Sequence, residues 1–325
     1  MSAAAVSVIV PAYNAEKTLD RCLGALSRQT YTKKLTEVIV VDDGSTDSTA
    51  AIASKYPVQL ISQKNMGPAT ARNNGAFACT GEIILFTDAD CVPMENWVEE
   101  MARLFTDKQV AAVKGAYRTR QPHITARFAQ IEFEERFDLL EKAGYTDMVD
   151  TYSAGYRRSI FVRLGGFDTR FPVANNEDTE LSYRMAAQKM TMLFNPKAIV
   201  YHLGHPDSVF RYARLKFSRG YWRMIVYRQF PEKMLQDVYT PKSLKIQILL
   251  FFLMLGVLPL VFLPADWGKS LFLFTAFWYC CSLLPGLVTI WKKDRVVCLV
   301  APLLLTVRAA SLGLGAILGK LRGKL

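Results

Sequence analysis

The first third of the chain alternates short apolar runs with amphipathic segments. The apolar runs Val6–Pro11, Glu37–Val41, Val58–Ile61 and Ile83–Thr87 are bounded by turn-forming residues, which predicts strands. Between these runs, apolar residues recur at helical spacing, as in Leu19–Leu26. This alternation predicts an α/β fold with a mainly parallel sheet and helices on both faces. Right-handed crossovers then place the carboxyl ends of the parallel strands at one edge.

The same pattern continues to about residue 206, which predicts a first domain over 1–206. The further predicted elements are helices at Ala69–Cys79, Trp97–Phe105, His123–Lys142 and Thr179–Gln188, strands at Val110–Tyr117 and Ala198–Tyr201, and turns at Ser153–Gly155 and Gly165–Asp168. The last of these helices follows a run of polar residues that is typical of a helix start.

The last quarter of the chain is mostly apolar. Leu244–Leu263 and Ser270–Trp291 each contain about the ~20 residues that a membrane-spanning helix requires. A third apolar segment, Val296–Leu318, is interrupted by Arg308, by a proline and by glycines. We expect this third segment either to span the membrane or to be re-entrant. Together the three segments predict a membrane region over 241–325.

Residues 207–240 mix basic and aromatic side chains and are predicted to form an amphipathic region at the membrane surface. The apolar and aromatic stripe expected to face inward is Tyr212, Leu215, Arg219, Trp222 and Val226. Basic residues, Lys216 among them, are expected on the other faces.

The chain has 325 residues and a net charge of +11 at pH 7, which favours an anionic partner such as lipid or a phosphorylated substrate. The presence of apolar spans, and the lack of a basic-aromatic surface in 1–120, argue against a nucleic-acid partner. The six cysteines form no Cys-x-x-Cys pair and suit a reducing cytosol. No secretory signal is visible, and the basic segments beside the spans predict a multi-pass membrane protein with its catalytic domain and C-terminus on the cytoplasmic side.

Polar side chains follow three of the predicted strands. Pro11, Ala12 and Tyr13 end the first, Asp42 and Asp43 the second, and Asp88-Ala-Asp90 the fourth. An Asp-x-Asp pair at such an edge can hold a divalent cation, which can in turn hold a diphosphate. The glycine fingerprints of dinucleotide-binding folds and P-loops are absent from the sequence, so a metal and side chains would hold the phosphates.

Six motifs then appear in order and together resemble those of family 2 glycosyltransferases with the GT-A fold. These motifs are Val8–Asn14, Val40–Asp47, Gly67–Asn73, Asp88–Asp90, Gly165–Asp168 and Glu177–Glu180. The resemblance covers roughly residues 5–230, and the apolar segments that follow resemble those of membrane-attached members. It implies inverting transfer of a sugar from a nucleotide-diphosphate sugar, with Mg²⁺ or Mn²⁺ as cofactor.

The resemblance also implies roles for individual residues. Pro11, Ala12 and Tyr13 would line the base pocket. One of Asp42 and Asp43, with Asp43 preferred, would accept a hydrogen bond from the base, and Arg72 would lie near the base or ribose. Asp88 and Asp90 would bind ribose and metal. Asp178 would be the general base, with Glu177 as its main competitor.

Two further pairs have more than one interpretation. His202 and His205 have the spacing of a loop metal pair, so His202 is a candidate ligand beside Asp90, although a structural pair fits equally well. Arg219 and Trp222 partly match an Arg-Trp motif of processive family members and are candidate nucleotide-sugar contacts. The glutamines of that motif are missing here, which favours a single transfer.

Other function classes remain open from the sequence: a processive polysaccharide synthase and a non-catalytic sugar-nucleotide-binding membrane scaffold. The expected partners of the enzyme are a nucleotide-sugar donor, a lipid or lipid-linked acceptor or a cell-envelope glycan, and the membrane. An oligomer is also compatible with the sequence. The sequence does not name the sugar, the base or the acceptor.

Overall fold

The structure is a computed structural model that describes residues 5–31, 35–234, 236–264 and 266–322, with the backbone alone for Thr36. The chain divides into two compact units. The first comprises the chain up to Arg120 together with Leu140–Gly204. The second comprises Gln121–Leu139 and the chain from His205 onward. The predicted boundary at residue 206 falls close to the last change between the units.

The first unit is built on a sheet of eight strands among its described residues. The strands are β1 (Val6–Ala12), β2 (Leu35–Asp42), β3 (Gln59–Ser62), β4 (Ile83–Phe86), β5 (Cys91–Pro93), β6 (Val110–Arg118), β7 (Ala154–Arg157) and β8 (Thr191–His202). Their order is β3-β2-β1-β4-β7-β6-β8-β5. Neighbouring strands are parallel except where β7 and β5 pair, which confirms the predicted mainly parallel α/β sheet.

Strand β7 was not expected, because Ala154 and Gly155 belong to a segment predicted as a turn. In the structure β7 is a central strand between β4 and β6. A Cβ at Gly155 would lie 2.9 Å from a methyl carbon of Leu85 and 3.0 Å from the ring of Phe105. The small residues therefore allow close packing within the sheet. In the sequence alone, such a run of small residues resembles a turn.

Strand β8 is longer than the predicted Ala198–Tyr201. Its pairing with β6 is interrupted, because Gly115 pairs with Asn195 and the next residue of β6 pairs with Ile199. The irregularity accommodates Pro196, which has no N–H to donate to the ladder. The sequence pattern did not predict the full length of β8, because a proline within an apolar run argues against a continuous strand.

Seven α-helices lie between these strands along the described part of the chain. They are α1 (Leu19–Leu26), α2 (Thr49–Ala53), α3 (Pro68–Ala78), α4 (Trp97–Arg103), α5 (Ile124–Ala143), α6 (Arg158–Arg163) and α7 (Glu177–Ala187). Most of α5 belongs to the second unit. The core of the first unit includes an aromatic group in which Phe86 lies 5.4 Å from Phe167 and 5.5 Å from Phe161, ring centre to ring centre. Helix α7 begins two residues before the predicted start, so Glu177 and Asp178 lie in its first turn.

The second unit contains α8 (Val209–Gln229), α9 (Lys242–Val257), α10 (Asp266–Lys293) and α11 (Arg295–Arg322). A 3-10 turn, Leu258–Phe262, continues α9. Three helices in the described part of the chain are long and apolar enough to cross a membrane, with mean hydropathies of 2.3, 1.8 and 2.0. The third is one continuous α-helix of 28 residues, although it contains a proline and several glycines. That it spans a bilayer stays a prediction.

Helix α8 buries a different stripe from the predicted one. Tyr212 and Val226 are buried as expected, but Lys216 and Gly220 are buried as well. A Cβ at Gly220 would lie 2.3 Å from the carbonyl oxygen of Leu312 in α11, so the two helix backbones touch. The prediction that Lys216 faces outward was wrong, because its ammonium group pairs with a buried carboxylate, Glu132 of α5.

Candidate active site

The carboxyl ends of β1, β2 and β4 lie at the same edge of the sheet. Ala12 pairs directly with Asp42, and Asp43 donates its backbone N–H to the carbonyl of Ala12 at 2.8 Å. Strand β4 runs parallel to β1 and leads into Asp88 and Asp90. The parallel sheet therefore brings the polar strand ends together at the edge where open α/β sheets bind ligands.

Asp90 and His202 form the candidate metal site at this edge. Oδ2 of Asp90 lies 3.3 Å from Nε2 of His202, because β5 pairs antiparallel with β8 directly after the Asp-x-Asp turn. A Cβ at Gly204 would lie 2.6 Å from the same Oδ2, so glycine allows this carboxylate to lie close to the backbone at residue 204. Burial and the nearby Asp88 raise the pKa of Asp90, and the His202 ring acts in the opposite direction. A carboxylate oxygen and an imidazole nitrogen at this distance fit the ligand types of a divalent cation.

Cys91 lies with Asp90 and His202 in a group whose possible ligand atoms are within 4.8 Å of one another. Burial, and then the two neighbouring aspartates, raise the pKa of this thiol well above its usual value. Mg²⁺ and Mn²⁺ prefer oxygen and imidazole ligands to sulfur, so Asp90 and His202 are the better candidate ligands of this group.

Arg72, on α3, links two carboxylates from distant parts of the chain. Its Nη2 donates to Oδ1 of Asp88 at 2.8 Å, and its Nη1 donates to Oε1 of Glu177 at 2.7 Å. The arginine and Glu177 are almost completely buried. Burial acts to lower the pKa of Arg72, but the charges of Asp88 and Glu177 outweigh it and raise this pKa. Arg72 therefore stays charged between its two partners.

Glu177 and Asp178 are neighbours in the first turn of α7 but differ in access. Burial, and then repulsion by Asp178, raise the pKa of Glu177 to about 7 despite its contact with Arg72. Asp178 is half-buried, and its Oδ1 accepts a hydrogen bond from the N–H of Thr179 at 2.7 Å. A carboxylate in the first helical turn is stabilised by the helix dipole. Asp178 is thus the more accessible of the two carboxylates.

Residues 7–165 match the model of glycosyl transferase family 2. The chain carries a family 2 glycosyl transferase domain. The chain is 30% identical over 168 residues to the glycosyltransferase AglE of Haloferax volcanii, a match that covers 50% of this chain and 55% of that protein.

Two further similarities place the family 2 domain among known proteins. Validoxylamine A glucosyltransferase of Streptomyces hygroscopicus subsp. limoneus is 29% identical over 222 residues, which cover 58% of this chain and 49% of that protein. The chain thus spans about half the length of the curated relatives it matches. The mannosyltransferase PcManGT from Pyrobaculum calidifontis, solved with GDP-Man and Mn²⁺, superposes with a TM-score of 0.64 at 21% identity, over 100% of this chain and 89% of that one. The GT-A fold prediction is confirmed.

On the predicted nucleotide side of the family 2 domain, Asp43 organises a loop. Its Oδ1 accepts hydrogen bonds from Nε2 of Gln63 at 2.7 Å and from the N–H of Met66 at 2.8 Å, and Oδ2 accepts from the N–H of Gly67 at 2.9 Å. Asp42 accepts from the N–H of Ser45 at 3.1 Å. Both aspartates are nearly buried. A contact between either one and a base stays a prediction.

The loop after β1 is braced against the loop after β2. Oδ1 of Asn14 accepts from the N–H of Thr46 at 2.9 Å, and Oγ1 of Thr49 accepts from the N–H of Ala15 at 2.7 Å. Ala12 is buried and Pro11 half-buried, whereas the ring of Tyr13 is 52% exposed. Tyr13 is therefore the member of this trio that presents an aromatic surface to a ligand.

Asp88 lies outside the group of possible metal ligands that contains Asp90. Its Oδ1 accepts from Arg72, and 28% of its side chain is exposed. Both roles predicted for Asp88, in binding ribose and in binding metal, stay predictions.

The remaining predicted residues belong to the second unit. Arg219 lies on α8 with its guanidinium 5.6 Å from the ring centre of Phe133, and Trp222 packs against the ring of Tyr221. His205 donates its backbone N–H to Oε1 of Gln121 at 2.8 Å. The structure thus places His202 beside Asp90 and places His205 in a different unit.

Gly204 was missed as a residue of the site. The signal was present, because Gly204 lies between the two histidines of His202-Leu-Gly-His205. Its importance depends on a contact with Asp90 across the sheet, which sequence spacing does not reveal.

Proposed function

We propose that this protein transfers a sugar from a nucleotide-diphosphate sugar to a hydroxyl acceptor, with inversion at the anomeric carbon. The observation that carries the proposal is the Asp90–His202 pair at the carboxyl edge of a family 2 glycosyl transferase domain, with the half-buried carboxylate of Asp178 in the same unit. The relatives that the chain resembles are named as glycosyltransferases.

The leaving diphosphate would be held at Asp90 and His202 with Mg²⁺ or Mn²⁺. A divalent cation there would offset the negative charge that develops on the leaving oxygen. The carboxylate and the imidazole are suitable ligands for such a cation, and Gly204 allows Asp90 to lie close to the backbone beside them. Asp88, oriented by Arg72, would contact the ribose.

Asp178 is the better candidate for the general base. Single displacement requires a base that removes the proton of the acceptor hydroxyl on the face opposite the leaving group. Glu177 is buried, and its Oε1 bonds to Arg72. Asp178 is more exposed, and its Oδ1 accepts from the N–H and the hydroxyl of Thr179. Its Oδ2 would then receive the proton of the acceptor. Glu177 would then position Arg72 rather than take the proton.

The acceptor would be lipid-linked, with catalysis at the cytoplasmic face. Three apolar helices support attachment to a membrane. The basic residues Lys292, Lys293 and Arg295 between the second and third of these helices favour the cytoplasmic side for that junction. The basic surface of α8 suits an anionic lipid phosphate.

The proposal is tested with the full chain in detergent, using UDP-glucose and GDP-mannose as donors in the presence of Mn²⁺. We expect release of nucleotide diphosphate by the wild type. Asp178→Asn should lower kcat by about 10²–10⁴-fold, because the base is lost, while nucleotide affinity is kept. Asp90→Ala should raise the Mn²⁺ concentration needed for half-maximal nucleotide binding.

The matched control is Asp107→Asn, which removes an exposed carboxylate whose Oδ1 accepts from the N–H of Gln109 at 2.8 Å. Its kinetics should equal those of the wild type. Donor binding without turnover in the wild type would instead identify a sugar-nucleotide-binding scaffold. Unchanged kcat in Asp178→Asn would show that another group acts as the base.

A further inference from the structure

The segment Val149–Ser153 lies beside both chemical ends of the proposed reaction. The N–H of Val149 donates to Oγ of Ser182 at 3.0 Å, and that hydroxyl donates to the backbone carbonyl of Asp178 at 2.6 Å. At the other end, the ring of Tyr152 packs edge-on against Tyr117, with centres 4.1 Å apart, and Tyr117 lies 5.5 Å from the ring of His202. The segment therefore connects the helical turn of the base with the metal pair.

A displacement with inversion places the reacting sugar between these two ends. The leaving diphosphate lies at Asp90 and His202, and the acceptor approaches from the side of Asp178. The sugar ring must then lie along the segment that connects them. The polar side chains of this segment are thus the available partners for sugar hydroxyls, which need both donors and acceptors.

Two of these polar side chains form a buried cluster with Lys114, and the mechanism above does not use this cluster. Lys114 of β6 is completely buried, and its ammonium group forms an ion pair with Oδ2 of Asp150. It also donates to the hydroxyl of Tyr152 at 3.0 Å, and that hydroxyl donates to Oδ2 of Asp150 at 3.0 Å. Asp150 and Tyr152 are 6% and 8% exposed, so each keeps a small edge at the surface. Burying a charged pair is costly unless further hydrogen bonds compensate.

We propose that Asp150 and Tyr152 hydrogen-bond the hydroxyls of the donor sugar and that Lys114 positions them. The ion pair carries no net charge, so the cluster suits a neutral hexose. A uronic acid would bring a second carboxylate beside that of Asp150. The ammonium group of Lys114 is already paired with Asp150, so it would not offset the repulsion between the two carboxylates. This inference rests on the proposed function and names the class of sugar that the same site accepts.

The experiment compares the affinity of a nucleotide diphosphate with that of its nucleotide sugar, using the full chain in detergent with Mn²⁺. The probes are UDP, UDP-glucose, UDP-glucuronic acid, GDP and GDP-mannose. We expect Tyr152→Phe and Asp150→Asn to leave the Kd of UDP and GDP within about twofold of the wild type. The KM of the neutral-hexose donor that the wild type uses should rise by about five- to tenfold, which is the effect of one lost hydrogen bond.

Donor discrimination separates sugar binding from a purely structural role. Asp150→Asn removes the carboxylate charge and should narrow the preference of the wild type for UDP-glucose over UDP-glucuronic acid. The matched control is Thr146→Val, which removes a buried hydroxyl that donates to the carbonyl of Met148 at 2.7 Å on the same stretch of chain. This control should change stability without changing donor preference.

The outcomes separate this inference from the proposed function. If the wild type turns over a donor while Tyr152→Phe and Asp150→Asn keep its affinity ratios and donor preference, the inference is wrong and the proposed function stands. A wild-type preference for the uronic acid donor also overturns it. If the wild type neither binds nor hydrolyses any of these nucleotide sugars, the proposed function itself fails. Tyr152→Phe removes one hydroxyl only, so its donor affinity can be measured even if Asp150→Asn, which breaks the buried ion pair with Lys114, does not fold.

Discussion

Two buried charge clusters, one in each unit, have opposite compositions. In the first unit, one arginine, Arg72, lies between the carboxylates of Asp88 and Glu177. In the second unit, one carboxylate, Glu132, lies between Lys216 at 2.8 Å and Arg308 at 3.3 Å. The first cluster therefore has two carboxyl groups to one basic group, and the second has two basic groups to one carboxyl group.

The ratio of carboxyl to basic groups changes what burial does to a carboxylate. Burial raises the pKa of Glu177 to about 7, because Arg72 is shared with Asp88 and Asp178 adds repulsion. Burial acts in the same direction on Glu132, but Lys216 and Arg308 outweigh it and lower the pKa to about 2. A surplus of carboxylates suits a site that receives a cation, whereas the second cluster is held by contacts within its own unit.

The second cluster ties four helices of its unit together. Glu132 of α5 also accepts from the hydroxyl of Tyr212 on α8 at 2.9 Å, and Arg308 of α11 donates to Oε1 of Gln247 on α9 at 2.6 Å. All of these side chains are nearly or completely buried. An ionisable residue within an apolar helix is tolerated only with such partners.

The largest expected effect comes from Glu132→Gln. This change leaves Lys216 and Arg308 buried beside a neutral amide, and arginine does not release its proton. We expect a loss of about 3–5 kcal/mol in stability, the usual cost of breaking a buried ion pair. Thermal unfolding in detergent measures it, with Glu141→Gln, at an exposed position of the same helix, as control. A change under about 1 kcal/mol would show that the two clusters do not differ as described.

Arg72→Met should have a smaller effect on stability, about 2–3 kcal/mol, because Glu177 can take up a proton once its partner is lost. Activity should fall further than stability implies, since Asp88 loses the group that orients it. The comparison is Arg170→Met, which removes an exposed pair with Asp168 and should cost at most about 1 kcal/mol. Equal losses in the two variants would contradict a positioning role for Arg72.

The smallest expected effect is a change in pH dependence on Glu177→Gln. The folded protein holds a proton on Glu177 up to about pH 7, whereas the unfolded chain releases it near 4.5. The contribution of this residue therefore disfavours folding as pH rises from about 4.5 to 7. The variant should lose less stability than the wild type over that range, measured as the shift of Tm with pH.

Glu132 provides the opposite case. Its pKa is lowered in the folded protein, so its stabilisation is present above about pH 4.5 and is lost as pH falls toward 2. If Glu177→Gln and the wild type have parallel Tm curves between pH 4.5 and 7, the two carboxylates titrate alike and the contrast between the clusters is wrong.

Local patterns in the sequence were enough for most of the fold. Apolar runs and helical spacing predicted β1, β2 and β4 and the helices between them, and the Asp-x-Asp motif marked the correct edge. The roles of the individual site residues stay predictions. The resemblance named Glu177 and Arg72 as candidate site residues. It did not predict the contact between them, because the two residues are 105 positions apart in the sequence.

The parts that the sequence did not predict depend on distant partners. β7 is a strand because β4 and β6 pair with it, although its small residues favour a turn. Lys216 is buried because Glu132 lies opposite, whereas its side chain favours solvent. Lys114 follows a run of apolar residues in β6, and no sequence pattern near it predicts that Asp150 is its partner.

The contact between Glu132 and Arg308 has a consequence for biogenesis. The two residues are 176 positions apart in the chain. At roughly 5–20 residues per second, the ribosome reaches Arg308 about 10–35 s after Glu132. Tyr212 and Lys216 are synthesised earlier, but until Arg308 emerges the carboxylate of Glu132 lacks its second cationic partner. A nascent chain of this protein must therefore be shielded by the insertion machinery or by chaperones well after its catalytic sheet has been synthesised.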